Sequence, residues 1–114
     1  FMQLHQVKEV LNAIVLCGED RLDQEVVSAC GSDFLSDVLA FVHNQNLLLT
    51  GLVNPQVVRT AEMTDIKCIV FVRGKVPDQS ILALAQDRGI VVMTTQLRMY
   101  TACGLLFTRG LVGE

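Results

Sequence analysis

"LLLTGLVNPQVVRTA", residues 47–61, decides the fold. Three leucines running into Thr50-Gly51 make an apolar run of strand length. Asn54-Pro55 then opens a helix, because Asn accepts backbone N–H groups at an N-cap and Pro at the first turn lacks an N–H that would go unused. Val57, Val58 and Ala61 supply a buried stripe at helical spacing. A strand that stops at a small polar pair and turns into a capped helix is half of a βαβ unit, and also a place to hold an anion.

Downstream the same rhythm repeats. "KCIVFV" (67–72) is an apolar strand, and a helix over 78–88 turns Ile81, Leu82, Leu84 and Ala85 inward. That helix ends at Arg88-Gly89, where glycine supplies a left-handed C-terminus. "IVVMT" (90–94) is another strand, followed by a helix over 96–109 with apolar residues most of the way round, among them Leu97, Met99, Tyr100, Cys103, Leu105, Leu106 and Phe107. Strands without alternation, joined by helices and short turns, predict parallel pairing with helices on both faces.

Upstream, Leu4, Val7, Val10 and Leu11 predict a helix over 3–12. "AIVLC" (13–17) reads as a buried strand and "EVVSAC" (25–30) as a second strand with mixed faces. In "SDFLSDVLAFVH", Leu35, Val38, Leu39 and Val42 keep helical spacing, with Phe34 and Phe41 off the stripe and Ser32 or Asp33 as N-cap. No helix separates the first two strands, so one of them is expected to run antiparallel. The expected fold is a single α/β domain spanning 1–114, with a mostly parallel, mixed five-stranded sheet flanked by helices.

Composition narrows the function. The 114 residues are 51% hydrophobic and 18% charged, with net charge −3 and no block of Lys or Arg. That excludes a disordered tail and gives no concentrated positive surface for nucleic acid. No run reaches the ~20 apolar residues of a membrane span. Cys17, Cys30, Cys68 and Cys103 have no pair at two-residue spacing and lie in apolar runs. They read as reduced core thiols of a cytoplasmic protein, without metal or cofactor.

In a parallel α/β sheet, ligands bind beyond the carboxyl ends of the strands. The segments expected there are 18–20, 31–33, 50–54, 73–75 and 94–96. They nominate Ser32, Thr50, Gly51, Asn54, Arg73, Lys75 and Thr94 for ligand binding, with backbone N–H groups at Gly51 and Ser32 cradling a phosphate. Each corner alone is better accounted for by the needs of turning and capping. Neither GxGxxG nor GxxxxGK[ST] occurs. The two histidines, His5 and His43 at a helix end, have no evident catalytic partner, and Glu19, Asp20, Asp23 and Glu25 lack calcium-loop spacing. No catalytic residue is assigned, and the chain is not expected to be an enzyme.

The order of "LDQEVVSACGSDFLSDVLA" (22–40), the "TGL-NP" turn, the G-x-x-P before the helix at 78 and "A-x-x-x-GI-V-x-x-T" resembles the DRTGG domain, over about residues 4 to 109. That module is similar to the N-terminal domain of HPr kinase/phosphorylase and occurs within phosphotransacetylases and CBS-domain pyrophosphatases. The Arg-Thr-Gly-Gly run that names the family is absent; only Asp23 stands there, so no role is carried from it. The resemblance implies a non-catalytic regulatory module, homodimeric and paired with a metabolic enzyme or kinase. The alternative is a nucleotide-sensing domain of adenine-nucleotide type with its pocket at the strand ends. A small cysteine-dependent enzyme is a third reading, disfavoured because every thiol sits in an apolar run. The final helix, with Gly104 inside it, is the first candidate for the dimer surface, and the 35–42 helix the second.

Overall fold

The computed structural model describes residues 1–42, 44 and 46–113, with Phe41 described by its backbone alone. His43 and the side chain of Phe41, both read from the sequence, lie outside the described residues. The elements in chain order are β1 (Met2–Gln3), α1 (Leu4–Leu11), β2 (Ile14–Cys17), β3 (Glu25–Val26), β4 (Ala29–Gly31) and α2 (Leu35–Phe41). There follow β5 (Leu47–Thr50), α3 (Pro55–Met63), β6 (Cys68–Phe71), α4 (Gln79–Asp87), β7 (Val91–Thr94) and α5 (Met99–Thr108).

The main sheet has the order β2-β7-β6-β5-β4. The pairs β4–β5, β5–β6 and β6–β7 are parallel, and β2–β7 is antiparallel. The expected mixed five-stranded α/β sheet is therefore present. Alternate residues of each central strand serve opposite faces, as the pleat requires. Leu47, Leu49, Val70, Val91 and Met93 pack with Leu4, Val7, Leu11, Ala102 and Leu106 of α1 and α5. Leu48, Ile69, Phe71 and Val92 pack with Val38, Val57, Val58, Ala61, Ile81 and Ala85 of α2, α3 and α4. Both faces are thus covered, and each fully buried aliphatic or aromatic side chain contributes about 1.5–3 kcal/mol.

Several details differ from the sequence reading. The 13–17 strand, expected to be buried, is an edge strand paired with β7 alone among the described strands, and Ile14 is 62% exposed. A bulge between Val15 and Cys17 disturbs its register, a common way of blunting an edge. The 25–30 run is two strands serving two partners: β3 pairs antiparallel with β1, and β4 pairs with β5. Between them Val27 is exposed and donates its N–H to Asn46 Oδ1 at 3.2 Å. The outer side of β4 is met by the C-terminal segment, where Val112 O accepts Ala29 N–H at 2.9 Å and Ser28 Oγ at 3.0 Å.

Leu39, assigned to the buried stripe of α2, is exposed instead. Residues 96–98 precede α5 rather than belonging to it, because the Leu97 N–H donates to Thr95 Oγ1 and its carbonyl accepts Arg73 N–H. Cys68 is buried, while Cys17, Cys30 and Cys103 are only partly so. Because β2 runs antiparallel, Gly18–Asp20 leave it at the amino ends of the parallel strands, against Val91. That segment is therefore remote from the other four.

Candidate functional site at the carboxyl ends of the parallel strands

The loops after β4, β5, β6 and β7 meet at one end of the sheet, and Asp33 organises them. Its Oδ1 accepts the Gly51 N–H at 2.7 Å and the Thr50 hydroxyl at 3.1 Å. Asp33 therefore does not cap α2. Phe34 holds the N-cap position without a side-chain acceptor, and Ser32 Oγ accepts the Phe34 N–H at 3.0 Å to close the turn. The Thr50 hydroxyl also accepts the Leu52 N–H at 3.1 Å, so a side chain at 0% exposure is fully paired.

The phosphate cradle expected from backbone N–H groups is not available in this arrangement. The Gly51 N–H is taken by Asp33, and the Ser32 N–H donates to Leu49 O at 3.0 Å. Asn54 caps α3 by accepting the Gln56 N–H at 2.8 Å. Thr94 donates its hydroxyl to Lys75 O at 2.6 Å, pinning the β6–α4 loop to β7. These groups hold the loops in place.

A cleft of about 530 Å³ opens above them, between the start of α2 and the start of α5. Ser32, Asp33 and Phe34 line one side, Arg98, Met99 and Tyr100 the other, and Val72 and Arg73 the floor. Of the seven nominated residues, Ser32 and Arg73 lie in the cleft. Thr50 and Gly51 lie beneath it through Asp33, and Asn54, Lys75 and Thr94 are outside its lining. Phe34, Arg98 and Tyr100 were not nominated from the sequence. Phe34 had given a sign, as an aromatic off the stripe of its helix.

Arg73 is held in an unusual way. Its φ of 61° lies in the left-handed region, which a side chain of this size rarely adopts. The Arg73 N–H donates to Leu97 O and the Gly74 N–H to Thr95 O, each at 2.8 Å, so two bonds enforce that conformation. The guanidinium lies directly over Gly51. Neither Arg73 nor Arg98 has a hydrogen-bonded or ion-paired side-chain partner among the described residues.

The thiols are shifted away from reactivity. Burial pushes the Cys30 thiol up to about 11, with Cys103 adding to the effect, and it raises Cys17, Cys68 and Cys103 as well. Thiols so shifted are weak nucleophiles near neutrality. Among the described residues no group of three His, Cys, Asp or Glu is placed to hold a metal ion, and no helix is long and apolar enough to cross a membrane.

A second feature lies along α5. Tyr100 is 90% and Phe107 63% exposed, and with Gly104 between them they line a shallow apolar hollow of about 570 Å³. A Cβ added to Gly104 would meet nothing within 4 Å. Tyr100 borders both this hollow and the cleft.

Comparison with known proteins adds two findings. The sequence model described as the DRTGG domain matches residues 6–107. Among solved structures, the CBS and DRTGG domains of the regulatory region of Clostridium perfringens pyrophosphatase, complexed with its activator diadenosine tetraphosphate, share the fold with a TM-score of 0.71. The identity is 17%, over 91% of this chain and 45% of that one, so the chain spans about half the length of that structure. No curated protein matches.

Proposed function

This chain belongs to the DRTGG domain family, and on that premise we propose that it is a non-catalytic regulatory module of the cytoplasm that acts by self-association and by engaging a metabolic enzyme or kinase. The observation that carries the reading is the outer face of α5. A helix needs one apolar stripe to pack on a sheet, yet α5 exposes Tyr100 and Phe107 in addition to the stripe of Ala102 and Leu106. No charged residue lines the hollow between them. Gly104 at its centre gives room for another backbone, and a patch of this kind is satisfied by the same patch on a second copy about a twofold axis, with the two helix dipoles opposed.

Sedimentation at micromolar concentration tests the reading: the wild type is expected near twice 12.5 kDa. Phe107→Glu, which places a charge on that face outside the cleft, is expected to sediment as a monomer. A wild-type monomer would dispose of the self-association.

A second reading, a nucleotide-sensing module, is favoured by the cleft with its two unpaired arginines. The pyrophosphatase regulatory region, about half of which matches this fold, is bound to a dinucleotide activator, which supports a regulatory role for ligands of that class.

A further inference from the structure

We propose that the strand-end cleft clamps a nucleoside polyphosphate, with Arg73 and Arg98 on the phosphates and the rings of Phe34 and Tyr100 on the base. The proposal deepens the nucleotide-sensing reading and rests on it; Tyr100 borders the α5 hollow as well as the cleft, so the clamp is separated from self-association at Phe107, which lines the hollow and not the cleft.

Three observations converge. First, Arg73 and Arg98, neither with a side-chain partner among the described residues, line one cleft in which Asp33 is the acidic lining residue, and Asp33 Oδ1 already accepts from Gly51 and Thr50. Unpaired arginines in a shared cleft suit the planar, bidentate recognition of phosphate oxygens. Second, Arg73 sits in the left-handed region, which is unfavourable for a residue with a Cβ. The floor beneath its side chain is a glycine, and a Cβ there would come within 2.7 Å of Nη2. The left-handed backbone turns the side chain over Gly51, and the missing Cβ there leaves the space that the guanidinium occupies. Third, Phe34 and Tyr100, 71% and 90% exposed, flank the same cleft. Aromatic faces left in water beside cations provide a stacking platform for a heterocyclic base. The cleft volume is that of a small-molecule site. The first turn of α5, capped by no side chain, adds the positive end of a ten-residue helix to the same side.

Calorimetric titration of the full chain with ATP, sodium tripolyphosphate and adenosine tests the proposal. Saturable binding of ATP is expected, with tripolyphosphate and adenosine each at least tenfold weaker, because each offers only half of the contact. Arg98→Gln and Tyr100→Ala are each expected to raise the Kd for ATP about tenfold or more, whereas Lys75→Gln leaves it unchanged. Arg73→Gly is the decisive variant. It relieves the left-handed strain, so its melting temperature is expected to equal or exceed that of the wild type while ATP affinity falls at least tenfold. Phe107→Glu is expected to bind ATP as the wild type does, which separates the clamp from self-association. Absence of ATP binding at millimolar concentration, ATP binding unaltered by Arg98→Gln or Arg73→Gly, or tripolyphosphate binding as tightly as ATP would each overturn the clamp.

Discussion

The guanidinium of Arg73 rests on the bare Cα of Gly51, with room for nothing between them: an added Cβ would lie 2.7 Å from Nη2. The φ of Gly51 is not left-handed, so alanine is compatible with the backbone at this position. Gly51→Ala is therefore expected to fold with a melting temperature within a few degrees of the wild type. The flexible guanidinium gives way, and ATP affinity drops several-fold. Calorimetry combined with thermal unfolding checks this, and unaltered affinity would show that the seat beneath Arg73 does not matter.

Asn54→Ala removes the acceptor of the Gln56 N–H at the start of α3. The loss is expected to be about 1 kcal/mol, read as a lower urea midpoint without a change in slope. Asn54 lies outside the cleft lining, so ligand binding should be unaffected.

Gly18→Ala should be far worse than either. Gly18 has a φ of 88°, and a Cβ there would meet Val91 Cγ2 at 2.8 Å and Val91 Cα at 3.0 Å. Backbone strain adds to a collision with a strand that cannot retreat, so a loss of about 2 kcal/mol or more is expected. Urea unfolding measures it, and a loss below 1 kcal/mol would count against the close approach of β2 and β7.

Stability should fall in alkali. Burial raises all four thiols above their ordinary value of 9.0, Cys30 to about 11. Above pH 9 the unfolded chain releases thiol protons that the folded chain retains, which favours unfolding. The contribution is thus complete below pH 9 and is lost as pH rises through 9 toward 11, at up to about 1.4 kcal/mol per pH unit for each fully protected thiol. Cys68→Ala should lower stability at pH 7 and flatten the alkaline slope. Parallel pH profiles for the two proteins would contradict this account.

The central strands could be read from sequence because burial on both faces leaves continuous apolar runs at 47–50, 68–71 and 91–94, and because Asn54, Pro55 and Gly89 punctuate what lies between them. The edge could not be read. "AIVLC" is as apolar as a central strand, yet β2 stands at the end of the strand order and Ile14 is exposed. The division of 25–30 depends on β1 and β5, partners distant in sequence. Asp33 was legible as a cap and serves instead as the acceptor for Gly51, a choice made by the loop after β5 rather than by its own helix. Ser32 and Arg73 were within reach as strand-end residues. Arg98 and Tyr100 come into the cleft only because α5 begins at residue 99.

The position of β7 between β6 and β2 has a consequence for the order of folding. As the chain leaves the ribosome, β5 can pair with β6 early, since α3 alone separates them. The much earlier β2 has no partner in the main sheet until β7 has been made. Closing that long loop is the entropically expensive step, which assigns β2 docking to the late side of the folding barrier. During synthesis the apolar β2 strand and the open edge of β6 are exposed together, and that interval is when nascent chains of this topology are most vulnerable to pairing with one another.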